Sequence, residues 1–438
     1  MQLELISHAS VIVRTADAVV WSDPWRTSKV FNNSWTLLVP AAPVDLDEID
    51  HLWLSHEHPD HFNIPTLRAL PDSFKRRVVV LFQANNSDKM FAALHKLGFA
   101  NTRALPHRQQ VQLRGDTRVY CYQVGQMDSC LAVLDGHDTV LNINDAEAGP
   151  RDCAIIRGDI GPTRVVLNQF SLAGHGGEGD PAAVLPRKAR QILANMIANH
   201  RDLGADLTVP IASFVYFSSV DNAYMNAYAN TPRHVADAFA GAGLGLAVLA
   251  HGERYTVGEP RDSDDNTRAL RRYDEIYAEL PALPKDPVPP ATLAEISAAL
   301  GLTAARLRDH YPPWFLRAWL RPVSVEIVDL GATIELDLPR GRLRLTPNAA
   351  PDVSLCAQPL LFTLQHPFGL QTLGVSARLR VHANRANWHR HRILLSMDNA
   401  ELYLRPDLLF TRRNLGLLRA RLHGGLGQLR DQLARMRG

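Results

Sequence analysis

The stretch Ser55-His56-Glu57-His58-Pro59-Asp60-His61-Phe62 carries the strongest chemical pattern in the sequence. Three histidines and two acids follow directly on a hydrophobic run. Neutral imidazole nitrogens and carboxylate oxygens are the usual ligands of zinc and non-heme iron. An extended chain puts His56 and His58 on one side, and the following turn adds Asp60 and His61, so one segment can supply two adjacent metal positions. The alternative, a polar loop with clustered histidines, leaves the repulsion between protonated imidazoles unexplained.

This motif resembles the signature of the metallo-β-lactamase fold family. The resemblance implies an α/β protein with a four-layer αββα arrangement, and we expect it to cover residues 1–260. It also implies a metal-dependent enzyme that holds one or two transition-metal ions, with His56, His58, Asp60 and His61 among the ligands. Zinc and iron are the expected metals, and manganese is a further alternative.

Two short segments near the N-terminus extend the resemblance. Ser7-His8-Ala9-Ser10 and Ser22-Asp23-Pro24-Trp25 are similar to the opening hairpin of the family, whose turns lie beside the metals. His8, Asp23 and Asp60 are therefore our candidate catalytic residues. Two interpretations of Asp23 stay open: its side chain caps a turn, or it orients a ligating imidazole.

Two later aspartates are further candidate ligands. Asp145 follows the hydrophobic run Val140–Ile143, and a carboxylate at the end of a buried strand is unfavourable unless it is paired or metal-bound. The resemblance gives Asp145 the role of bridging ligand, while a simple turn residue is the alternative. Asp128 stands where many family members carry a ligating histidine. A carboxylate there suits iron or manganese better than zinc.

The segment from Ala212 to Asn226 resembles the cytidine monophosphate-N-acetylneuraminate hydroxylase-like branch of the fold. Relatives in that branch usually carry a histidine near Ser219, and this sequence has none there. His175, in a glycine-rich loop, and His251 are the candidate replacements. Each has alternatives: a residue that supports a ligand, a substrate contact or a surface histidine.

The hydroxylase family also carries a Rieske iron–sulfur domain, which needs paired cysteine and histidine motifs. The four cysteines, Cys121, Cys130, Cys153 and Cys356, form no such pairs and no disulfide framework. The formal net charge of +2 in 438 residues gives no drive toward nucleic acid. No signal peptide and no run of about 20 apolar residues is visible, so we expect a soluble cytoplasmic protein.

The second half of the sequence predicts a different domain. Residues 261–321 are expected to be a helical, proline-rich linker, and residues 322–405 resemble a smaller α+β sterol-carrier-like domain. We expect that domain to cover the active site or to mediate a homodimer, with lipid binding as the alternative. Within it, Trp388–Arg392 is typical of a solvated basic turn. Residues 406–438 predict a basic amphipathic helix.

Two enzymatic functions are nearly balanced on the sequence alone. The first is a hydrolase that uses metal-bound hydroxide on an ester, amide or phosphoester. The alternative is a non-heme iron or di-iron oxygenase of a small molecule, which would take electrons from a donor protein or from the substrate. A non-catalytic scaffold is a third class, motivated by the missing late histidine but opposed by the complete motif at His56–His61.

Overall fold

A computed structural model describes residues 1–84, 87–125, 127–347, 349–382 and 385–405. The predicted helix at 406–438 lies outside the described residues. Among the described helices, none combines the length and the apolar character needed to cross a membrane.

The strands of the described residues alternate with helices along most of the chain. In order, the strands are β1 Gln2–Leu5, β2 Val11–Arg14, β3 Val19–Ser22, β4 Trp35–Leu37, β5 His51–Leu54, β6 Val79–Gln83, β7 Asn101–Leu105, β8 Gln110–Arg114, β9 Thr117–Val124, β10 Asp128–Leu134, β11 Thr139–Asn144, β12 Val165–Gln169, β13 Leu207–Ile211, β14 Val215–Phe217, β15 Arg254–Thr256, β16 Val323–Ile327, β17 Ala332–Asp337, β18 Arg342–Leu345, β19 Val353–Leu355 and β20 Arg380–Val381.

The α-helices of the same residues range from six to 23 residues in length. They are α1 Ile64–Ala69, α2 Asp72–Arg77, α3 Ser87–Lys96, α4 Pro150–Ile160, α5 Pro181–Leu203, α6 Pro232–Ala242, α7 Ser263–Glu279, α8 Leu293–His310, α9 Pro313–Trp319, α10 Ala357–Gln365, α11 Gly369–Val375 and α12 Arg385–Asn399.

Two large sheets pack against each other and carry helices on their outer faces. One has the order β15-β1-β2-β3-β5-β6-β7, and the other β13-β12-β11-β10-β9-β8. Side chains alternate across each strand: Trp53 of β5 packs between the sheets, while Leu52 and Leu54 pack with the helices outside. On the far side of the second sheet, Cys153 and Ile156 of α4 close another apolar layer. The predicted four-layer αββα metallo-β-lactamase fold is confirmed.

The sheet order brings several chain turns to one edge. β3, β5 and β6 are parallel, so the segments that follow β3 and β5 leave the sheet at the same end. In the second sheet, β11 and β12 are also parallel. Asp23 follows β3, the histidine motif follows β5, and Asp145 follows β11. Polar residues from both sheets therefore meet at one edge of the fold.

A second hydrophobic core follows in the chain. A five-stranded sheet of order β18-β17-β16-β19-β20 packs with α8–α12. The helices expected in the linker at 261–321 belong to different cores: α7 packs in the first through Leu270 and Tyr273, and α8 packs in the second through Ile296 and Leu300. The domain limits at 260 and 321 and the sterol-carrier-like assignment of 322–405 stay predictions.

The expectation of a solvated turn at 388–392 is wrong. These residues lie within α12, and Trp388 and His391 are buried on its inner face. His389 and Arg392 are on the outer side, where both approach the Glu178 carboxylate. The apolar face of α12 was not predicted because several basic residues lie between Trp388 and the next buried apolar residues, Leu394 and Leu395.

Candidate metal centre

Seven of the predicted site residues lie together at the shared edge of the two sheets. Their donor atoms form three overlapping groups of three, within each of which all donor atoms lie within 4.8 Å of one another. One group is His56, His58 and Asp128, and a second is His8, Asp60 and His61. The third group, His56, His61 and Asp145, links the other two.

The distances give Asp145 a position between the two groups. Its Oδ2 atom lies 3.7 Å from His56 Nε2 and 3.4 Å from His61 Nε2. In the second group, Asp60 Oδ2 lies 3.4 Å from His8 Nε2 and 3.3 Å from His61 Nε2. In the first, His56 Nε2 lies 2.8 Å from His58 Nδ1. Asp145 thus stands where the resemblance expects a bridging ligand.

Several of these buried atoms make no hydrogen bond, although buried polar groups are nearly always paired. The unpaired atoms include Asp60 Oδ1, Asp145 Oδ1, His61 Nε2 and His8 Nδ1. Asp60 and His61 are 3% and 0% exposed, so solvent does not satisfy them. A donor set of imidazoles and carboxylates with free lone pairs fits a transition-metal ion.

The electrostatics agree with a cation at this place. Burial raises the pKa of the Asp60 carboxyl, but the His61 and His8 imidazoles outweigh burial and hold it well below its usual range. Burial lowers the pKa of His61, and the Asp145 and Asp60 carboxylates then raise it well above its usual value. Burial and the Asp145 charge raise the pKa of Asp128 to about 7. Because the carboxylates draw positive charge onto His61, they would also attract a metal ion.

Asp23 contacts the imidazole of His61, a candidate ligand, as expected if it orients that ring. It is fully buried, and its Oδ2 atom lies 3.0 Å from His61 Nδ1. Its two carboxylate oxygens also accept hydrogen bonds from the backbone N–H and the hydroxyl of Ser55, at 2.8 and 2.7 Å. A proton held on Nδ1 by Asp23 leaves the Nε2 lone pair of His61 free for a metal.

Asn144 is a site residue that the sequence reasoning missed. Its Nδ2 atom donates to Asp23 Oδ2 and lies 3.0 Å from His61 Nδ1. Both Asp23 and Asn144 have left-handed backbones, with φ of 39° and 62°. Such conformations are strained for residues other than glycine and gather at functional sites. A polar residue directly after the buried run Val140–Ile143 was the signal available in the sequence.

The last two predicted ligands are not part of these groups. His251 is half-buried beside Phe214 and Tyr273, with ring centroids 4.9 and 6.1 Å away. His175 is buried in the loop after β12, and both of its ring nitrogens lack hydrogen bonds. Neither belongs to a three-donor group among the described residues.

A cavity of about 760 Å³ opens beside the centre. His58, Asp128 and Asp145 line one part of it, and His175 lines another. The second core supplies part of the wall through α11 and α12, including Gln371, Trp388 and Arg392. The second core therefore covers the cavity next to the donor groups.

Comparison with known proteins agrees with the fold. Residues 2–152 match the family model described as the beta-lactamase superfamily domain. It is 31% identical over 187 residues to a protein of Mycobacterium tuberculosis named as a Rieske 2Fe-2S iron-sulfur protein, covering 39% of this chain and 34% of the relative. It is 26% identical over 240 residues to the cytidine monophosphate-N-acetylneuraminic acid hydroxylase of Asterias rubens, covering 49% of this chain and 34% of that protein.

The chain spans about a third of the length of these curated relatives. Among solved structures, it is similar to CmlA, a diiron beta-hydroxylase from Streptomyces venezuelae, with 18% identity and a TM-score of 0.40 over 58% of this chain and 53% of that chain. It is also similar to the isothiocyanate hydrolase from Delia radicum gut bacteria, with 14% identity and a TM-score of 0.44 over 58% of this chain and 99% of that one.

Proposed function

We propose that the protein is an iron-dependent oxygenase of a small molecule, with its iron held by the donor groups at the edge of the two sheets. The observation that carries the proposal is the carboxylate content of the donor set. Asp60, Asp128 and Asp145 all lie among the imidazoles, and Asp128 Oδ1 is 3.9 Å from His56 Nε2. Mixed carboxylate and imidazole sets suit non-heme iron, whereas histidine-rich or cysteine-rich sets are usual for zinc.

The names of the curated relatives support the same choice. The relatives of this chain include a hydroxylase and proteins named for a Rieske iron–sulfur centre. Both names refer to redox chemistry, and neither refers to hydrolysis. The sequence alone put hydrolysis slightly first, and the relatives' names together with the position of Asp128 reverse that order.

In this proposal iron would supply the activation of O₂. One oxygen atom enters a C–H bond of the substrate and the other leaves as water, which consumes two electrons and two protons. A Rieske centre needs paired cysteine and histidine motifs, which the four cysteines of this sequence do not form. We propose that a carrier protein or the substrate supplies the electrons.

The protein's own residues position the ligands and the substrate. Asp23 fixes the tautomer of His61, and Ser55 Oγ lies 3.0 Å from His56 Nδ1, which orients a second imidazole in the same way. The cavity places a substrate between the donor groups and the second core. The amide side chains that line the cavity, among them Asn168, Gln191 and Asn195, suit a polar small molecule.

The test compares iron-loaded and zinc-loaded forms of the full chain. The iron form is reduced chemically without oxygen and then mixed with O₂, while iron oxidation and O₂ uptake are followed. The proposal expects rapid oxidation of bound iron with matching O₂ uptake, and markedly slower or smaller uptake in Asp128→Ala. Bound iron that does not react with O₂ would overturn it.

Hydrolysis is the second candidate, and the openness of one donor group favours it. His58, Asp128 and Asp145 line the cavity, so a metal held there would meet both water and a substrate carbonyl or phosphoryl group. The same zinc-loaded protein is therefore tested on p-nitrophenyl acetate and bis-p-nitrophenyl phosphate. Turnover by the zinc form, together with iron that is inert to O₂, would establish hydrolysis instead.

A further inference from the structure

The position of the missing late histidine serves another purpose in this chain. Ser219 Oγ donates a hydrogen bond to Asp221 Oδ1 at 2.6 Å, and the Ser219 N–H donates to Asn222 Oδ1. Asp221 in turn accepts from Arg378 Nε of the second core, at 2.9 and 2.8 Å. This segment holds the two cores together, so the last metal donor must come from elsewhere.

The two replacements expected from the sequence are poorly placed for that role. The His251 ring packs edge-on against Phe214 and Tyr273, with ring centroids 4.9 and 6.1 Å away. His175 lies in the cavity wall, which the positively charged Lys188 also lines. Neither shares a three-donor group with the motif among the described residues.

His8 has the position that those two lack. Its Nε2 atom lies 3.4 Å from Asp60 Oδ2, and its ring centroid is 5.9 Å from that of His61. The side chain is 2% exposed, and Nδ1 has no hydrogen-bond partner. The rings of Trp25 and Trp35 meet it edge-on at 5.4 and 6.5 Å, so apolar groups hold it in place.

The backbone fixes His8 firmly. β1 ends at Leu5, and the turn that follows is closed by a hydrogen bond from Ile6 N–H to Ser10 O at 2.8 Å. The Ala212 N–H donates to His8 O at 2.6 Å, and Ser7 Oγ donates to Trp25 O at 2.7 Å. A side chain held on a rigid turn loses little freedom when it binds an ion, which favours a ligand role.

We propose that His8 is a metal ligand: with Asp60 and His61 it forms an enclosed second metal position and takes the place of the late histidine. The inference rests on the metal centre of the proposed function but not on the reaction. The other position, formed by His56, His58 and Asp128, faces the cavity. Asp145 lies between the two.

The two positions differ in access. His58, Asp128 and Asp145 line the cavity, whereas His8, Asp60 and His61 do not. The three enclosed residues are each at most 3% exposed. A chelator reaches an ion at the cavity-facing position directly, but the enclosed ion leaves only when the surrounding residues open. We therefore expect two well-separated rates of metal release.

The experiment follows metal release from the full chain loaded with cobalt(II), using a coloured chelator and elemental analysis. The wild type should release its ions in two phases of equal amplitude. His8→Ala and His8→Gln should lose the slow phase and about half of the bound metal. The matched controls, His175→Gln and His251→Gln, should keep both phases. A single phase in the wild type, or an unchanged slow phase in the His8 variants, would overturn the proposal.

The variant His8→Cys provides a spectroscopic test if His8→Ala or His8→Gln fails to fold. In His8→Cys, a thiolate ligand would give a sulfur-to-cobalt charge-transfer band that neither the wild type nor His251→Cys shows. A folded His8→Cys protein that binds cobalt without this band would contradict the assignment. The assay needs no turnover. A wild type that binds no metal would defeat the proposed function as well, whereas failure of O₂ chemistry alone would leave the assignment of His8 intact.

Discussion

The donor groups and the contact between the two cores both contain buried polar atoms. They differ in how many of those atoms have a hydrogen-bond partner. At the core contact, Asp221 accepts from Arg378 and Ser219, and Arg378 Nη1 donates to Asn32 O at 3.1 Å. Of the Arg378 guanidinium, Nη2 alone lacks a partner. At the donor groups, carboxylate and imidazole atoms of four residues make no hydrogen bond.

The difference distinguishes a structural polar contact from a binding site. A buried ion pair is retained when its charges satisfy each other, and the Arg378–Asp221 pair does so. Buried acids and imidazoles that lack partners are unfavourable unless something else satisfies them. A metal ion is the species that would satisfy Asp60, Asp145, His61 and His8 together.

The largest effect that tests this comparison is removal of the first donors. A His56→Ala, His58→Ala double variant should lose at least half of its bound metal, because it removes two of the three donors of the cavity-facing group and one donor of the group that contains Asp145. Elemental analysis of wild type and variant, purified in parallel, measures the change. Equal and near-zero metal in both proteins would contradict the assignment of the donor groups.

The core contact should affect stability instead of metal content. Arg378→Met leaves the Asp221 carboxylate without its partner, and we expect the free energy of unfolding to fall by about 3 kcal/mol in urea titrations. The double variant Arg378→Met, Asp221→Leu should recover part of that loss.

Arg344→Met is the matched control, because Arg344 is 74% exposed in its pair with Glu335 and should contribute less than about 1 kcal/mol. Folded Arg378→Met should retain wild-type metal content. Metal loss in that variant without unfolding would mean that the two regions are not separate.

A smaller effect is expected from the residue that orients His61. Asp23→Asn removes the charge that holds the His61 Nδ1 proton, and we expect metal affinity to fall about 10–100-fold while the fold is kept. Competition with a chelator of known affinity measures the change. The control is Asp50→Asn. The Asp50 carboxylate accepts a hydrogen bond from Val19 N–H at the other end of β5, so this variant should bind metal as the wild type does.

Local sequence predicted the parts of the site that lie in one stretch of chain. The strand β5 and the motif after it are adjacent, so the proximity of His56, His58, Asp60 and His61 followed from spacing. The resemblance supplied His8 and Asp145 as site residues and a bridging role for Asp145. Strands such as β10 and β11 were predictable because each is a short, mostly apolar run, and both are buried at nearly every position.

The rest depends on how distant segments meet. That His8 lies beside Asp60 follows from the order β1-β2-β3-β5 in the sheet, which no local pattern encodes. His175 and His251 had the right chemistry but were fixed elsewhere by packing against the cavity wall and the aromatic rings. The run at Trp388–Arg392 has many basic residues, and its burial became visible only when α12 met the second core.

A carboxylate-rich donor set should select iron, and the identity of the bound metal distinguishes this site from a zinc site. Wild type, Asp128→His and Asp128→Ala are expressed in one medium with equal iron and zinc, and their metals are measured after aerobic purification. We predict mainly iron in the wild type, a shift toward zinc in Asp128→His, and loss of metal from one position in Asp128→Ala. The same metals in the same amounts in all three proteins would contradict the account.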